Sequence, residues 1–136
     1  MNDMKPIQTS GRRKSAIARA TVRDGTGVIR MNGIPVDKLQ PALVKMKIEE
    51  LLIIVSDEKL NTINIDVDVE GGGILGQVDA ARIALSRAIT QYLKKKNVVK
   101  NIKSYDRSML SGDSRTVEAK HWGGKKARKR FQKSYR

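Results

Sequence analysis

The sequence predicts a two-layer α/β protein in which helices cover one face of a small mixed sheet. Three observations predict it: some segments alternate small or apolar residues with polar ones, others repeat apolar residues every three or four positions, and the patterns follow the order β-β-α-β-α. The 136 residues fit one domain, because about 100–150 residues is the commonest domain size. We expect a globular body at residues 1–100 and an extended basic tail at residues 101–136.

The first strand is predicted over residues 15–23, where small apolar residues occupy every second position. The turn residues Asp24-Gly25-Thr26-Gly27 follow, and a second, short strand is predicted over residues 28–31. We therefore expect these two strands to pair as a hairpin that ends at Asn32-Gly33.

The first helix is predicted to begin at Pro41, because proline suits the first turn of a helix. Apolar residues then recur at three- and four-residue spacing, at Val44, Ile48, Leu51, Leu52 and Val55. This spacing is typical of an amphipathic helix that packs on a sheet. A third strand is predicted over residues 63–70, where apolar residues alternate with mostly acidic ones and indicate one buried and one wet face.

Three glycines, Gly71-Gly72-Gly73, follow this strand, and the second helix is predicted to open near Gln77 and to have Lys94-Lys95-Lys96 in its last turn. The glycines do not form a nucleotide loop, because the Lys-Ser/Thr pair of a P-loop and the dinucleotide glycine spacing are missing. We expect them to provide positive φ or close approach, either to the neighbouring helix or to an RNA phosphate. After Asn97 the periodicity fades, apart from a short helical turn predicted at residues 105–110.

The charge balance indicates an anionic partner. Lys and Arg total 28 against 14 acids, and a net charge of +14 opposes a compact state unless a polyanion offsets it. From Ala119 to Arg136 there are eight basic residues and no acid. Because this segment repels itself and has few apolar residues, it cannot fold alone, and we expect it to gain order on RNA.

The tail interleaves its cations with aromatic residues, a mixture that neutralises phosphates and stacks on bases. A second basic patch, Arg12-Arg13-Lys14, lies just before the first predicted strand, and Arg19 and Arg23 continue along the exposed face of that strand. The alternatives are a disordered solubilising tail and a merely solvated strand face.

Several classes of site are excluded or disfavoured. The chain has no cysteine and a single histidine, His121, so a transition-metal site or a His-based triad cannot be assembled. The acidic pairs Asp66/Asp68 and Glu49/Glu50 are interpreted as solvated surface, so we predict no catalytic residue, metal, cofactor or small-molecule substrate. The longest apolar run, residues 51–55, is too short for a bilayer, and we expect a soluble, cytoplasmic protein with no membrane partner.

Three blocks of sequence carry a family resemblance. The first is residues 11–19 with Gly25, Gly27, Asn32 and Gly33, and the second is Gly71-Gly72-Gly73 with positions 76, 77, 80, 84 and 86–89. The third is residues 113–115, 117 and 118 with positions 120, 125, 127 and 128 and the ending 132–136. Together these blocks resemble small-subunit ribosomal protein nine, of the archaeal and eukaryotic kind, along almost the whole chain.

The resemblance implies the fold of the second domain of ribosomal protein five, with a left-handed β-α-β crossover. It also implies a structural constituent of the small ribosomal subunit head, which lies on small-subunit ribosomal RNA (rRNA) beside neighbouring ribosomal proteins. The tail is implied to approach the P-site transfer RNA (tRNA) through Lys133, Ser134, Tyr135 and Arg136. Because Ser111-Gly112 and the ending Ser-Tyr-Arg differ from the bacterial pattern, bacterial contacts there are not carried over.

The residues predicted to bind rRNA come from the charge pattern, the glycine turn and this resemblance. They are Arg12, Arg13, Lys14, Arg19, Arg23, Gly71, Gly72, Gly73, Gln77, Arg115, Lys120, Lys125, Lys126, Arg128, Lys129 and Arg130. Two other functions stay open: an RNA-processing protein subunit and an architectural nucleic-acid-binding protein. The first would need convergent acids or histidines, and the second would bind duplex DNA as well as RNA at matched salt.

Overall fold

The computed structural model describes residues 5–135 and confirms the α/β fold. Its strands are β1 Ile7–Arg13, β2 Ala16–Asp24, β3 Ile29–Met31, β4 Ile34–Pro35 and β5 Ile63–Glu70. Its α-helices are α1 Ala42–Val55, α2 Ile74–Leu93, α3 Lys96–Tyr105 and α4 Ser108–Ser111, and short 3₁₀ turns lie at Val36–Lys38 and Glu58–Thr62. The strand order is β1-β2-β5-β3-β4, with β3 parallel to β5 and the other neighbours antiparallel.

The predicted alternation of β2 and β5 is confirmed. Ala16, Ala18 and Ala20 of β2 are fully buried, and the four apolar residues of β5 are buried beside them. α2 packs against this face and presents its own alanines, among them Ala80 and Ala84, which are also fully buried. Because the side chains are small on both sides, the helix lies close to the sheet, and the opposite face of β2 stays open to solvent.

The predicted hairpin between residues 15–23 and 28–31 is wrong. β2 pairs with β1 and β5, whereas β3 lies on the far side of β5 and turns back into β4 through Asn32-Gly33. Both residues of that turn have positive φ, at 51° and 81°, as a tight hairpin turn requires. The Asn64 side-chain oxygen accepts hydrogen bonds from the backbone N–H groups of Thr26 and Val28, each at 3.0 Å, and so holds the crossing loop to β5.

β1 was not predicted, because Ile7 is the single large apolar residue on its inner face. Thr9, Gly11 and Arg13 alternate on that face, where Thr9 Oγ1 donates a hydrogen bond to the carbonyl oxygen of Ala84 at 2.8 Å. Gly11 is buried against α2. Apart from the contact of Ile7 with the core, the strand is therefore held by polar and backbone contacts that periodicity does not reveal.

The two predicted helices are confirmed with shifted ends. Pro41 is the N-cap of α1, and the helix itself begins at Ala42. α2 begins at Ile74, three residues before the predicted start at Gln77. It ends at Leu93, so Lys94 and Lys95 lie between α2 and α3, and Lys96 is the first residue of α3. None of the three lysines is in the last turn of α2.

The prediction of little regular structure after Asn97 is wrong, because α3 occupies that segment. Its residues Val98 and Ile102 are buried in the same core as the sheet, and so is Met109 of α4, which fits the short turn predicted at residues 105–110. Packing therefore continues past residue 100. The division into a body of 1–100 and a tail of 101–136, as parts that order separately, stays a prediction.

Candidate RNA interface

The basic patch of residues 12–14 lies in β1 and the β1–β2 turn, not before the first strand. Arg12 and Lys14 are exposed, and Arg12 Nε donates to the carbonyl oxygen of Lys14 at 3.1 Å. Arg13 lies on the other face, where Nη1 donates to the carbonyl oxygen of Arg115 at 3.0 Å and Nε lies 3.6 Å from the Asp113 carboxylate. Arg12 and Lys14 are thus open to a phosphate, whereas Arg13 anchors the segment that follows α4.

Asp113 ties the start of the tail to the body. Its carboxylate accepts hydrogen bonds from Arg115 Nε at 3.0 Å and Nη2 at 2.7 Å, and from the backbone N–H of Arg115 at 3.0 Å. These bonds hold the pKa of Asp113 well below its ordinary value, and the nearby Arg13 adds a smaller electrostatic contribution. The same side-chain bonds raise the pKa of the Arg115 guanidinium. Arg115, predicted to bind rRNA, is therefore paired with Asp113 within this turn, and its side chain is still 82% exposed.

A cleft opens beside the β1–β2 turn, and we call it the turn cleft. It is lined by Arg12, Lys14, Arg87, Ser111, Gly112, Asp113, Ser114 and Thr116. Arg87 is fixed in it by two backbone carbonyls, because Nε donates to Leu110 at 2.9 Å and Nη1 to Ser10 at 2.7 Å. The cleft thus has three cations, three hydroxyls and one carboxylate, Asp113, whose charge is offset by Arg13 and Arg115. This composition suits the phosphates of a nucleic-acid backbone.

The three predicted glycines differ in what they contact. Gly71 and Gly72 have φ of 74° and 68°. A Cβ at Gly71 would stand 2.7 Å from the carbonyl oxygen of Ser15, and one at Gly72 would stand 3.0 Å from the Cβ of Ala16. The close approach is therefore to the β1–β2 turn and the start of β2, not to the neighbouring helix. Gly73 has nothing within 4 Å of a Cβ and stays open to a partner.

The start of α2 shares this end of the sheet with the turn cations, because Glu70 at the end of β5 pairs with Ile17 at the start of β2. α2 has no side-chain cap and no acid in its first turn, so its amides suit an anion. Gln77, predicted to bind rRNA, donates Nε2 to the carbonyl oxygen of Gly71 at 3.1 Å and so braces the glycine turn. The fold thus places the predicted glycine turn with Gln77 beside the predicted basic patch of residues 12–14.

Arg19 and Arg23 are exposed on the open face of β2, as predicted, but their neighbours are partly acidic. In register, Arg19 lies opposite Asp68 of β5. Further along the face, Arg30 of β3 lies 3.6 Å from the carboxylate of Asp66. This face therefore carries both positive and negative side chains. The predicted stripe of cations along β2 is interrupted by acidic residues of β5, which the sequence of β2 by itself does not show.

The tail is exposed from Ser114 to Tyr135, apart from buried Gly124 and half-buried Ala127. The predicted cations in it are exposed: Lys120, Lys125, Lys126, Arg128, Lys129, Arg130 and Lys133. Arg128 also makes two hydrogen bonds to the Glu118 carboxylate, at 2.9 and 2.8 Å. Ser134 and Tyr135 are exposed, and Arg136 lies outside the described residues.

Comparison with known proteins identifies the family. A family model described as ribosomal protein S9/S16 matches residues 11–136. The chain belongs to this ribosomal protein family. The recognition of small-subunit ribosomal protein nine from the three sequence blocks is thereby confirmed.

Two relatives of the S9/S16 chain show how far the likeness extends. The small ribosomal subunit protein uS9 of Desulfurococcus amylolyticus is 44% identical over 133 residues, which cover 98% of this chain and 94% of the relative. The protein of the same name from Methanothrix thermoacetophila is 43% identical over 133 residues, which cover 98% of this chain and all of the relative. The likeness therefore includes both the sheet and the tail.

Within residues 5–135 of this S9/S16 chain, no three histidine or carboxylate side chains are grouped as metal ligands. In the same part of the chain, none of the helices combines the length and the apolar character needed to cross a membrane.

Arg87 lines the turn cleft but is not among the residues that the sequence predicted to bind rRNA. It lies within the second family block, but as one half-buried arginine on a largely apolar helix it has no signature of its own. Its partners Ser10 and Leu110 lie 77 and 23 residues away in sequence. Only the folded S9/S16 chain brings these carbonyls together.

The Asp113–Arg115 pair gives a prediction about pH. Because the pKa of Asp113 is lowered in the folded chain, we expect the pair to stabilise the tail junction above the ordinary Asp pKa of about 3.9 and to lose this effect as the pH falls further. Arg115→Ala should raise the pKa of Asp113 toward its ordinary value, as followed by carboxyl NMR. Arg12→Ala is the control, and an unchanged Asp113 midpoint in Arg115→Ala would contradict this account.

Proposed function

We propose that the chain is a structural constituent of the small ribosomal subunit in the cytoplasm. Its body and tail bind rRNA, and its last residues contact the P-site tRNA. The observation that carries the proposal is the acid-free segment from Ala119 onward, joined to a body whose turn cleft presents further cations. The described residues of this segment are exposed except for Gly124 and Ala127. Family membership and the names of the two relatives support the assignment to the small ribosomal subunit.

The body is proposed to bind folded rRNA by charge and shape. Arg12, Lys14 and the open amides at the start of α2 lie at one end of the sheet and suit successive backbone phosphates. Hydrogen bonds to phosphates fix position without reading sequence, so this end of the molecule sets the register of the protein on its RNA. Neighbouring ribosomal proteins of the subunit head complete its surroundings.

The tail is proposed to reach sites that the body does not touch. At about 3.3 Å per residue, the eighteen residues from Ala119 to Arg136 extend to ~60 Å, against a radius of gyration of ~13 Å for a body of this size. Trp122 and Tyr135 are 98% and 92% exposed, and such aromatic rings offer bases a stacking surface. Apart from the turn in which Gly124 pairs with Arg130 and the Lys125 N–H donates to the carbonyl oxygen of Lys129, we propose that the tail gains its order on RNA.

No reaction is part of this proposal. A nuclease or other RNA-processing enzyme needs acids or histidines that converge on the scissile phosphate. The acidic residues of β5 instead lie along an open strand face beside arginines, and His121 is exposed in the tail. A nuclease assay on the purified chain tests this directly.

The decisive test of the proposal measures two things: whether the chain is found in small ribosomal subunits, and whether it prefers rRNA to other nucleic acids. We expect the chain to sediment with small subunits in a cell lysate, and the purified chain to prefer rRNA over duplex DNA at matched salt. Equal affinity for the two nucleic acids, or a chain that stays at the top of the gradient, would contradict the proposal. Equal affinity would instead favour an architectural nucleic-acid-binding protein.

Deleting residues 133–136 is expected to separate the tRNA contact from the rRNA contacts. The deletion removes two of the eight cations after Ala119 and the exposed Tyr135, but no buried residue among those described. Incorporation into subunits should stay nearly intact, while P-site tRNA dissociates faster from isolated small subunits in a filter-binding assay. Removal of an equal number of cations by Lys125→Ala with Lys126→Ala is the matched control. Unchanged tRNA retention would remove the tail end from the mechanism.

A further inference from the structure

α1 has an outer face that nothing in the described chain covers. Its buried face is formed by Val44, Ile48, Leu51 and Val55, yet apolar residues also occupy the opposite side. Leu43, Met46 and Ile53 are 49%, 62% and 73% exposed. Spacings of three and seven residues align them on one side of the helix, with Glu50 between the last two. A helix that is apolar on both sides is typical of a position buried on both sides.

The charges around this outer face are already satisfied within the chain. α1 contains two lysines and two glutamates, so it adds nothing to the net charge of +14. Lys47 lies 2.9 Å from the carboxylate of Asp79, Glu50 lies 3.0 Å from Arg82, and Lys45 lies 3.6 Å from Glu49. A phosphate brought to this face would meet paired lysines and three apolar side chains. RNA is therefore a poor occupant.

A second copy of the chain is also a poor occupant, because two molecules of net charge +14 repel each other. We infer that the outer face of α1, at Leu43, Met46 and Ile53, is a docking surface for a different protein, which presents an apolar patch of its own. The inference rests on the proposed function only in placing that partner in the small subunit.

Three side chains form only the centre of such a contact. A stable interface between proteins buries about 800 Å² on each partner, which this face does not offer alone. The contact gains strength when both proteins are held on the same RNA, because the second binding event is then intramolecular. The surface thus suits a neighbour in a ribonucleoprotein rather than a partner in free solution.

Photocrosslinking identifies the occupant directly. Subunits are assembled with full chains that carry p-benzoylphenylalanine in place of Ile53 or, as a matched control, in place of Trp122 in the tail. We expect the Ile53 position to crosslink to another protein and the Trp122 position to rRNA. A crosslink from the Ile53 position to RNA or to a second copy, or none at all, would overturn the inference. Absence of RNA crosslinks at Trp122 would instead count against the proposed function.

A double variant, Met46→Gln with Ile53→Gln, tests whether the contact matters for assembly. In competition with the unaltered chain, we expect about tenfold lower incorporation into subunits, since two apolar side chains lose their burial. The melting temperature and the affinity for isolated rRNA should not change, because both residues are exposed and uncharged. Ile34→Gln on β4, which removes another exposed isoleucine, should incorporate normally. Equal incorporation of the double variant would overturn the inference.

Discussion

Truncation of the chain after Glu118 is expected to remove most of its affinity for rRNA at physiological salt. The truncated chain loses eight basic residues and no acid, so its net charge falls from +14 to +6. If each lost cation neutralises one phosphate of a single strand, the slope of log affinity against log salt becomes shallower by roughly 5 to 6. For the full chain, the tail then accounts for roughly three decades of affinity lost between 50 and 200 mM salt.

The body is expected to stay folded in this truncation. Of the described residues beyond Glu118, only Gly124 is buried, and its close neighbours are backbone atoms of Lys126 and Lys129 within the same loop. The clasp formed by Arg13, Asp113 and Arg115 lies before the cut and is kept. Circular dichroism and thermal melting should therefore give nearly the same transition for both chains.

Fluorescence anisotropy with an rRNA fragment, repeated at several salt concentrations, measures the two slopes. Arg12→Ala with Lys14→Ala in the full chain is the control for the number of contacts, because it removes two exposed cations and should lower the slope by about 1.4. Equal slopes for the truncated and full chains would show that the tail does not lie on phosphates.

The parts of the fold that the sequence predicted well are those buried on one face. β2, β5 and α1 place apolar residues at the period of their own secondary structure, and those residues form the core. β1 has one large apolar residue, Ile7, beside a threonine, a glycine and an arginine on its inner face, so its alternation is weak. α3 is amphipathic, with Val98 and Ile102 buried four residues apart, so its signal is present in the sequence and the prediction missed it. The order of the strands depends on the loop held by Asn64, which no local pattern predicts.

The candidate site likewise has parts that the sequence predicted and parts that depend on the fold. Exposure of the tail follows from its charge and its lack of apolar residues, and both are visible in composition. The different roles of neighbours such as Arg12 and Arg13 depend on which face of β1 each occupies and on Asp113, one hundred residues away from Arg13 in sequence. The mixed charge of the open face likewise depends on the register that sets Arg19 opposite Asp68.

Gly11→Ala is expected to destabilise the body strongly, although it adds a single methyl group. A Cβ at this position would stand 2.4 Å from the carbonyl oxygen of Ala80 and 2.6 Å from the backbone nitrogen of Ala84. Both atoms belong to the backbone of α2, which cannot move aside as the end of a flexible side chain can. We expect a loss of about 3 kcal/mol in the free energy of unfolding, at the upper end of overpacking effects, and a fall in Tm of about 10 °C.

Gly73→Ala is the matched control, because it adds the same methyl group where nothing lies within 4 Å and φ is −96°. Its stability should stay within about 0.5 kcal/mol of the unaltered chain, as measured by urea denaturation of both variants. β1 also positions Arg12 in the turn cleft. If the added methyl group displaces β1, the Gly11→Ala variant should bind rRNA more weakly than the unaltered chain, even at temperatures where the variant is folded. If the two variants unfold at the same urea concentration, β1 is not held against α2 by the absence of a side chain at Gly11.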